Sequence, residues 1–319
     1  MREELLNELE NEYELIRAEN ERTEAARRER IRTEQPEIHA LAQERQELVY
    51  GTLRAILNGN AETEKIPEKM AKLSEEIRER LTAAGFPADY LAPVYRCAVC
   101  RDTGRVGELI REPCECLKKA YQKKLREKIG LNGGKKETFE TFDLSLFPGE
   151  LLPGKSYSQR MLMAKCRKEC EEWSDSYPDT QIRNLLLTGK SGLGKTFLLR
   201  AVAERLIERD VNVLIISAYT LLEIVRKAYF SNEENAEEIM EAEVLMIDDL
   251  GSEPLMQNVT IEQLFNLLNE RQNRALSTII STNLTMQELQ GRYTERVASR
   301  LRDRNSWKII MLEGKDIRS

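Results

Sequence analysis

Eight consecutive residues carry the clearest chemistry in this chain: Gly189-Lys190-Ser191-Gly192-Leu193-Gly194-Lys195-Thr196. Their spacing, G-x-x-x-x-G-K-[ST], is that of a phosphate-binding loop. Glycines let successive backbone N–H groups turn inward around a polyphosphate. A helix N-terminus directly after the loop adds its positive end. In that setting Lys195 neutralises the β- and γ-phosphates of a nucleotide such as ATP or ADP, and Thr196 holds Mg²⁺. Gly189, Ser191, Gly192, Leu193, Gly194 and Phe197 complete the predicted nucleotide contacts. The motif has meaning only between a strand and a helix. Asn184–Thr188 ahead of it is a short apolar run that predicts a buried strand, and Phe197–Leu206 behind it predicts an amphipathic helix.

Further along, Val244-Leu245-Met246-Ile247-Asp248-Asp249 is an apolar strand ending in two acids. Beside a phosphate loop, Asp248 is placed to position Mg²⁺ and Asp249 to polarise an attacking water as general base. The run Thr278–Asn283 ends in an amide, Asn283, that could orient water against a γ-phosphate. The segment Arg292–Arg302 is rich in arginine, and Arg296 and Arg300 share a helix face. An arginine supplied in trans stabilises transition-state charge on a neighbouring subunit's nucleotide; a solvated basic helix accounts for the same residues without chemistry.

A second constellation is Cys97-x-x-Cys100 with Cys114-x-Cys116. Two close pairs can converge on one Zn²⁺ through four thiolates, which leaves no open coordination position, so such a metal folds its module rather than catalyses. A redox C-x-x-C would leave the second pair unexplained. Arg101-Asp102-Thr103-Gly104 after the first pair is a turn sequence suited to a zinc knuckle. The single histidine, His39, reads as a surface helix residue, and Cys166 and Cys170, one helical turn apart, as ordinary helix residues.

The elements that must position these groups follow from composition and pattern. The chain has 319 residues, 33% charged and 41% hydrophobic, with a net charge of −6. It is no polycation, so any nucleic-acid surface must be local. No apolar run is long enough for a membrane span, and the charged N-terminus is not a signal peptide, so a cytoplasmic location is expected. Residues 1–92 are dominated by helical patterns, with Leu5, Leu9, Tyr13 and Ile16, then Ile38, Leu41, Arg45 and Leu48, at helical spacing. Pro36, Gly59-Asn60 and Pro67 are candidate breaks. The polar stretch Asn20 to Arg32 is either a solvated helix or an arm that docks on a partner protein. Residues 93–130 form the cysteine module with a basic helix, 131–136 a polar linker, and 137–319 an alternation of strands and helices. The strands fall at 184–188, 211–217, 244–248, 278–282 and 307–312, which predicts a five-stranded parallel sheet covered by helices on both faces. On the helix after the second strand, Arg226 and Lys227 beside Tyr229 and Phe230 offer phosphate contacts and base stacking; a core helix with two exposed basic residues is the other reading.

Taken together, the phosphate loop, Ile247-Asp248-Asp249-Leu250-Gly251, Ser281-Thr282-Asn283-Leu284, Arg296-Val-Ala-Ser-Arg300-Leu301, Phe139-Glu-Thr-Phe142 and the tail Glu313–Arg318 resemble AAA+ ATPases. More narrowly they resemble bacterial replicative helicase loaders of the DnaC/DnaI type, over residues 137–319. The cysteines behind a helical N-terminus resemble those of the loaders of Gram-positive bacteria and their phages. The resemblance implies an AAA+ domain that binds ATP and Mg²⁺, with Asn283 as sensor and Arg300, then Arg296, as arginine finger. It implies self-assembly through the ATPase domains, a hexameric replicative helicase as partner of the N-terminal domain, and single-stranded DNA bound by the ATPase domain. Little chain follows the fifth strand, so the lid arginine of larger relatives has no obvious counterpart except Arg318. Asp249 stands where fast AAA+ enzymes carry the longer Glu, which suits slow hydrolysis used as a switch. An IstB-like ATPase assisting DNA transposition shares the core but does not require the cysteine module.

Overall fold

Leucine- and isoleucine-rich runs become the strands of one parallel sheet. The computed structural model describes residues 2–57, 66–107, 111–131, 136–231, 237–254 and 259–318; the side chains of 52–57, 225–231, 237–238 and 259–260 lie outside that description. Two compact units form, Asn7–Leu117 and Met1–Leu6 with Lys118–Ser319.

In the larger unit β3 (Asn184–Thr188), β4 (Val213–Ser217), β5 (Val244–Leu250), β6 (Ser277–Thr282) and β7 (Trp307–Met311) lie in the order β4-β5-β6-β3-β7, all parallel. Every residue of β3 and β6 is buried, as expected of central strands covered on both faces. The strands match the predicted runs to within two residues, and they form the five-stranded parallel α/β sheet expected from the sequence. Helices α5 (Gln159–Ser176), α6 (Lys195–Glu208), α7 (Ala218–Ser231), α8 (Glu237–Glu241), α9 (Val259–Asn273) and α10 (Met286–Arg302) intervene. One core joins Leu186, Leu245, Ile247 and Ile280 of the sheet to Leu264, Leu268, Leu289, Tyr293 and Val297 of α9 and α10. The register sets Thr188 beside Thr282 and Ser217 beside Asp248, so the polar C-terminal ends of β3, β5 and β6 converge. Between Ile247 and Leu250 the β5–β6 pairing shifts register, and Asp249 takes φ +58°. A bulge of this kind bends the strand and re-aims its side chains.

The smaller unit contains most of α1 (Arg2–Glu34), with α2 (Pro36–Leu57) and α3 (Ile66–Ala83). Pro36 begins α2, where its missing N–H costs nothing, and Pro67 is the second residue of α3. Gly59-Asn60 lies outside the described residues. Ile31, buried although its neighbours are charged, packs with Ile38, Ile77 and Leu81. A two-stranded ribbon, β1 (Arg105–Val106) and β2 (Glu112–Pro113), leads into α4 (Glu115–Lys128). The boundary between units falls inside α4. Residues 118–130, grouped with the cysteine module in the sequence reading, belong to the larger unit, where Arg126 meets Glu204 at 2.7 Å and Leu125 is fully buried. Of the linker 131–136, residues 132–135 lie outside the described residues. No helix among the described residues is long and apolar enough to cross a membrane.

Candidate nucleotide site and cysteine cluster

Helix α6 starts without a side-chain cap. Its N-cap is Gly194, at φ +86°, and no side chain bonds the first turn. The leading N–H groups of the helix are therefore left to whatever sits before them, which is the requirement for anion binding. Gly192, at φ +75°, is required sterically as well, because a Cβ there would collide with the Asp316 carboxylate. The tail is drawn onto the loop in the same place: Ile317 N–H donates to Gly192 O at 3.1 Å, and Arg318 donates to Ser191 Oγ at 2.7 Å.

Lys195 is buried and donates to Gly189 O, Lys190 O and Asn283 Oδ1, each at 2.7 Å. Burial holds its ammonium below the ordinary lysine value; Asp249 and Asp248 oppose that shift and Arg318 adds to it. The other end of the Asn283 amide donates to Asp249 Oδ1 at 2.5 Å. Asn283 thus joins the cation to the second acid, using its carbonyl as acceptor and its NH₂ as donor. Asp248 Oδ1 accepts from Thr196 Oγ1 at 3.2 Å and Ser281 Oγ at 2.5 Å, and Ser281 Oγ accepts from the Asp249 N–H at 2.9 Å.

These groups line one cavity of about 360 Å³, bounded by Ser191, Gly192, Gly194, Lys195, Thr196, Phe197, Asp248, Asp249, Ser281, Asn283, Ile317 and Arg318. The residues present fit a nucleotide phosphate chain with its cation: uncapped helix N–H groups, a buried ammonium, and a hydroxyl paired with a carboxylate. Gly189 meets the site through its carbonyl, while the Leu193 side chain is buried outside the lining. Ser281 carries a role that the strand pattern did not assign; its position two residues before Asn283, beside a double acid, is the signal that could have found it.

Arg296 and Arg300 do not reach this cavity. Both lie over Phe265 of α9, at 4.9 and 5.4 Å from the ring centroid. Arg300 donates to Gln272 Oε1 at 2.9 Å and Asn269 Oδ1 at 2.5 Å, whereas Arg296 is exposed. Neither lines the cavity of its own chain, the placement that action in trans would require. Arg226, Lys227, Tyr229 and Phe230 fall on α7, but their side chains lie outside the described residues.

In the smaller unit the sulfurs of Cys97, Cys100, Cys114 and Cys116 all lie within 4.8 Å of one another. Cys97 and Cys114 are 3.9 Å apart, Cys100 and Cys116 3.4 Å. A tetrahedron with Zn–S bonds of about 2.3 Å has edges of about 3.8 Å, whereas a disulfide needs about 2.05 Å. The donor set therefore fits a metal ion. Backbone N–H groups of Cys100 and Val99 lower the Cys97 thiol to about 7, and burial pushes Cys116 up to about 12. The turn after Cys100 has Arg101, Asp102 and Gly104 at positive φ. Asp102, buried, accepts from the N–H groups of Arg96 (2.8 Å) and Cys97 (2.7 Å) and from Asn20 Nδ2 of α1 (2.8 Å). That strut was not visible in the sequence. His39, half-buried on α2, is no part of the cluster, and Cys166 and Cys170 are buried in α5.

Known proteins resemble this chain over part of its length. Residues 163–315 match the family described as IstB-like ATP binding protein. The replicative helicase loader DnaI of Bacillus subtilis is 31% identical over 122 residues, 37% of this chain and 39% of that protein. The replicative helicase loader DnaC of Escherichia coli K12 is 28% identical over 158 residues, 48% of this chain and 61% of that protein. The chain thus spans less than two thirds of the length of these curated relatives. A crystal structure of DnaI aligns with a TM-score of 0.45 at 25% identity, covering 61% of this chain and 98% of that one. Over residues 163–315, the chain is similar to the IstB-like ATP binding proteins.

Proposed function

We propose that the chain is an ATP-dependent loader that delivers a replicative DNA helicase to single-stranded DNA. One observation carries the reading: Thr196–Asp248–Ser281 and Lys195–Asn283–Asp249 form a joined polar network at the ends of three adjacent strands, directly before an uncapped helix. The curated relatives being helicase loaders supports the loader role over transposition. In this reading the 189–194 loop cradles the phosphates and Lys195 neutralises them. Thr196 and Asp248 would hold Mg²⁺, which when bound supplies further charge neutralisation. Asp249 accepts the proton of the attacking water, and Asn283 keeps that carboxylate oriented. Arg300 and Arg296 act on a neighbouring subunit's nucleotide, so ATP drives self-assembly and slow hydrolysis resets it. Residues 1–92 grip the helicase, Zn²⁺ holds the cysteine module, and Arg226, Lys227, Tyr229 and Phe230 touch DNA in a cytoplasmic setting.

The test passes the full chain, with ATP and Mg²⁺, over an immobilised replicative helicase from the same organism, and measures ATP turnover with and without single-stranded DNA. Retention and DNA-stimulated turnover are expected. Asp249→Asn should keep nucleotide binding and lose about 10²–10⁴-fold in turnover, while Lys195→Ala should weaken binding as well. Turnover without helicase retention, and capture by a transposase instead, would move the chain to transposition.

A further inference from the structure

The strand after the double acid does not simply leave the site. Ser252 bonds back to the Asp249 carbonyl through its N–H (3.2 Å) and its Oγ (2.8 Å). Gly251, at φ +108°, packs so tightly on Leu284 that a Cβ there would collide with it. The segment Asp249–Glu253 is therefore held against Asn283-Leu284, the other half of the predicted phosphate-sensing pair. Glu253 follows, 1% exposed, an unusual place for a carboxylate without a partner. It has several. Oε2 accepts the Gly251 N–H at 2.8 Å, and Oε1 accepts the Tyr293 hydroxyl. The Arg292 guanidinium donates to the Glu253 carbonyl, with its Nε 3.7 Å from Oε1. Tyr293 is fully buried, and burial followed by Glu253 itself raises its phenol well above the usual value, so it remains a donor.

Arg292 and Tyr293 belong to α10, the helix that carries Arg296 and Arg300. Thr294, immediately after them, has φ +73° and ψ 164° inside the helix. That region of backbone space is nearly restricted to glycine, and a β-branched residue persists there only where its surroundings hold it. The clamp on Glu253 directly precedes this kink, and Arg296 follows it by two residues. Arg292 Nε, buried, has no hydrogen-bond partner among the described residues. It faces Glu253 Oε1 at 3.7 Å, so a small movement of Asp249–Glu253 relative to α10 would bring the two into hydrogen-bond range.

We propose that Glu253 is a positioning residue that couples the phosphate-sensing pair Asp249 and Asn283 to the arginines of α10 through its clamp on Tyr293 and Arg292. The coupling rests on the reading that Arg300 or Arg296 completes a neighbouring subunit's site. The polar path runs from Asn283 through Asp249, Ser252 and Gly251 to Glu253, then through Tyr293 and the Thr294 kink to Arg296 and Arg300. Loss or gain of a phosphate beside Asp249 would thereby be felt by the residues that face the next subunit.

The experiment is a double-mutant cycle in the full chain, reading ATP turnover, nucleotide affinity and melting. Glu253→Gln keeps the size but leaves one acceptor for two donors and removes the charge facing Arg292; Tyr293→Phe removes only the hydroxyl and serves if the first variant does not fold. Expected is an at least tenfold fall in turnover with nucleotide affinity unchanged, and no further fall when either change is added to Arg296→Ala/Arg300→Ala. A fall of the same factor in both backgrounds, or a fall matched by lost nucleotide affinity, would overturn the coupling while leaving the trans-arginine reading intact. An Arg296→Ala/Arg300→Ala protein that turns over like the parent would instead overturn that reading, and the coupling with it.

Discussion

The two units hold their reactive groups by opposite means. In the larger unit the nucleotide site hangs from the ends of strands whose residues are buried throughout, so apolar burial places Lys195, Asp248 and Asn283 before any ligand arrives. In the smaller unit the described core is thin: Ile31, Ile38, Ile77 and Leu81 with their neighbours, while the turn that carries the cysteines is tied by polar contacts to Asp102. We propose that this module draws on a bound metal for its folding free energy. On that proposal one unit is a scaffold that would bind a ligand, and the other a scaffold that its ligand would complete.

The largest effect should come from breaking the second half of that contrast. Metal analysis of the full chain should find one Zn²⁺, held by Cys97, Cys100, Cys114 and Cys116. Strong chelation, or Cys100→Ser, should remove on the order of 10 kcal/mol of metal-linked folding free energy from the module. Protease cleavage should then appear within residues 7–117, with nucleotide binding by the larger unit retained. Cleavage spread equally over both units would show that the metal stabilises the whole chain and erase the distinction.

A smaller change sharpens it. Asp102→Ala leaves three donors without their acceptor, two of them the backbone N–H groups of Arg96 and Cys97. The expected cost is about 3 kcal/mol, with zinc affinity down about 10–100-fold because a ligand's own backbone is no longer held. Competition against a chromophoric chelator reads the affinity directly. An unchanged affinity would mean that the sulfurs alone organise the knuckle.

How much of this was legible beforehand follows the same division. Glycine spacing, apolar strands and paired cysteines are local signals: they singled out the phosphate loop, Asp248, Asp249 and Asn283, which share one cavity, and four cysteines whose sulfurs converge. What escaped was set by contacts distant in sequence. Nothing in the local pattern singles out Arg271, yet it is fully buried and donates to Thr278 Oγ1 and to the carbonyls of Ile239, Ala242 and Ser277; burial lowers its guanidinium to about 10. The bulge at Asp249, the clamp on Glu253 and the kink at Thr294 likewise depend on how β5, β6 and α10 meet. The arginine-rich helix was legible as a helix, but the side chains it would lean on were not.

The smallest effect tests whether the larger unit tolerates loss of a local polar anchor, as its buried core implies it should. Thr285 caps α10 through the Glu288 N–H at 3.2 Å, and Glu288 returns a bond from the Thr285 N–H at 2.7 Å, closing a capping box. Thr285→Ala should cost about 1 kcal/mol, a fall in melting temperature of about 2–4 °C for a unit of this size. The backbone N–H of Thr285, then its hydroxyl, holds the Glu288 carboxyl below 4.5. A carboxyl depressed in the folded state contributes stability above its unfolded value and loses it as pH falls through the folded one. The contribution of the box should therefore be complete above about pH 4.5 and fade below it; Glu288→Gln should flatten that acid limb, whereas Thr285→Ala, which keeps the backbone N–H, should only soften it. A fall much larger than a few degrees, with loss of nucleotide binding, would mean that α10 is held by its cap rather than by Tyr293, Val297 and Leu301 in the core, and the scaffold would then be less independent of its polar contacts than the burial of its strands suggests.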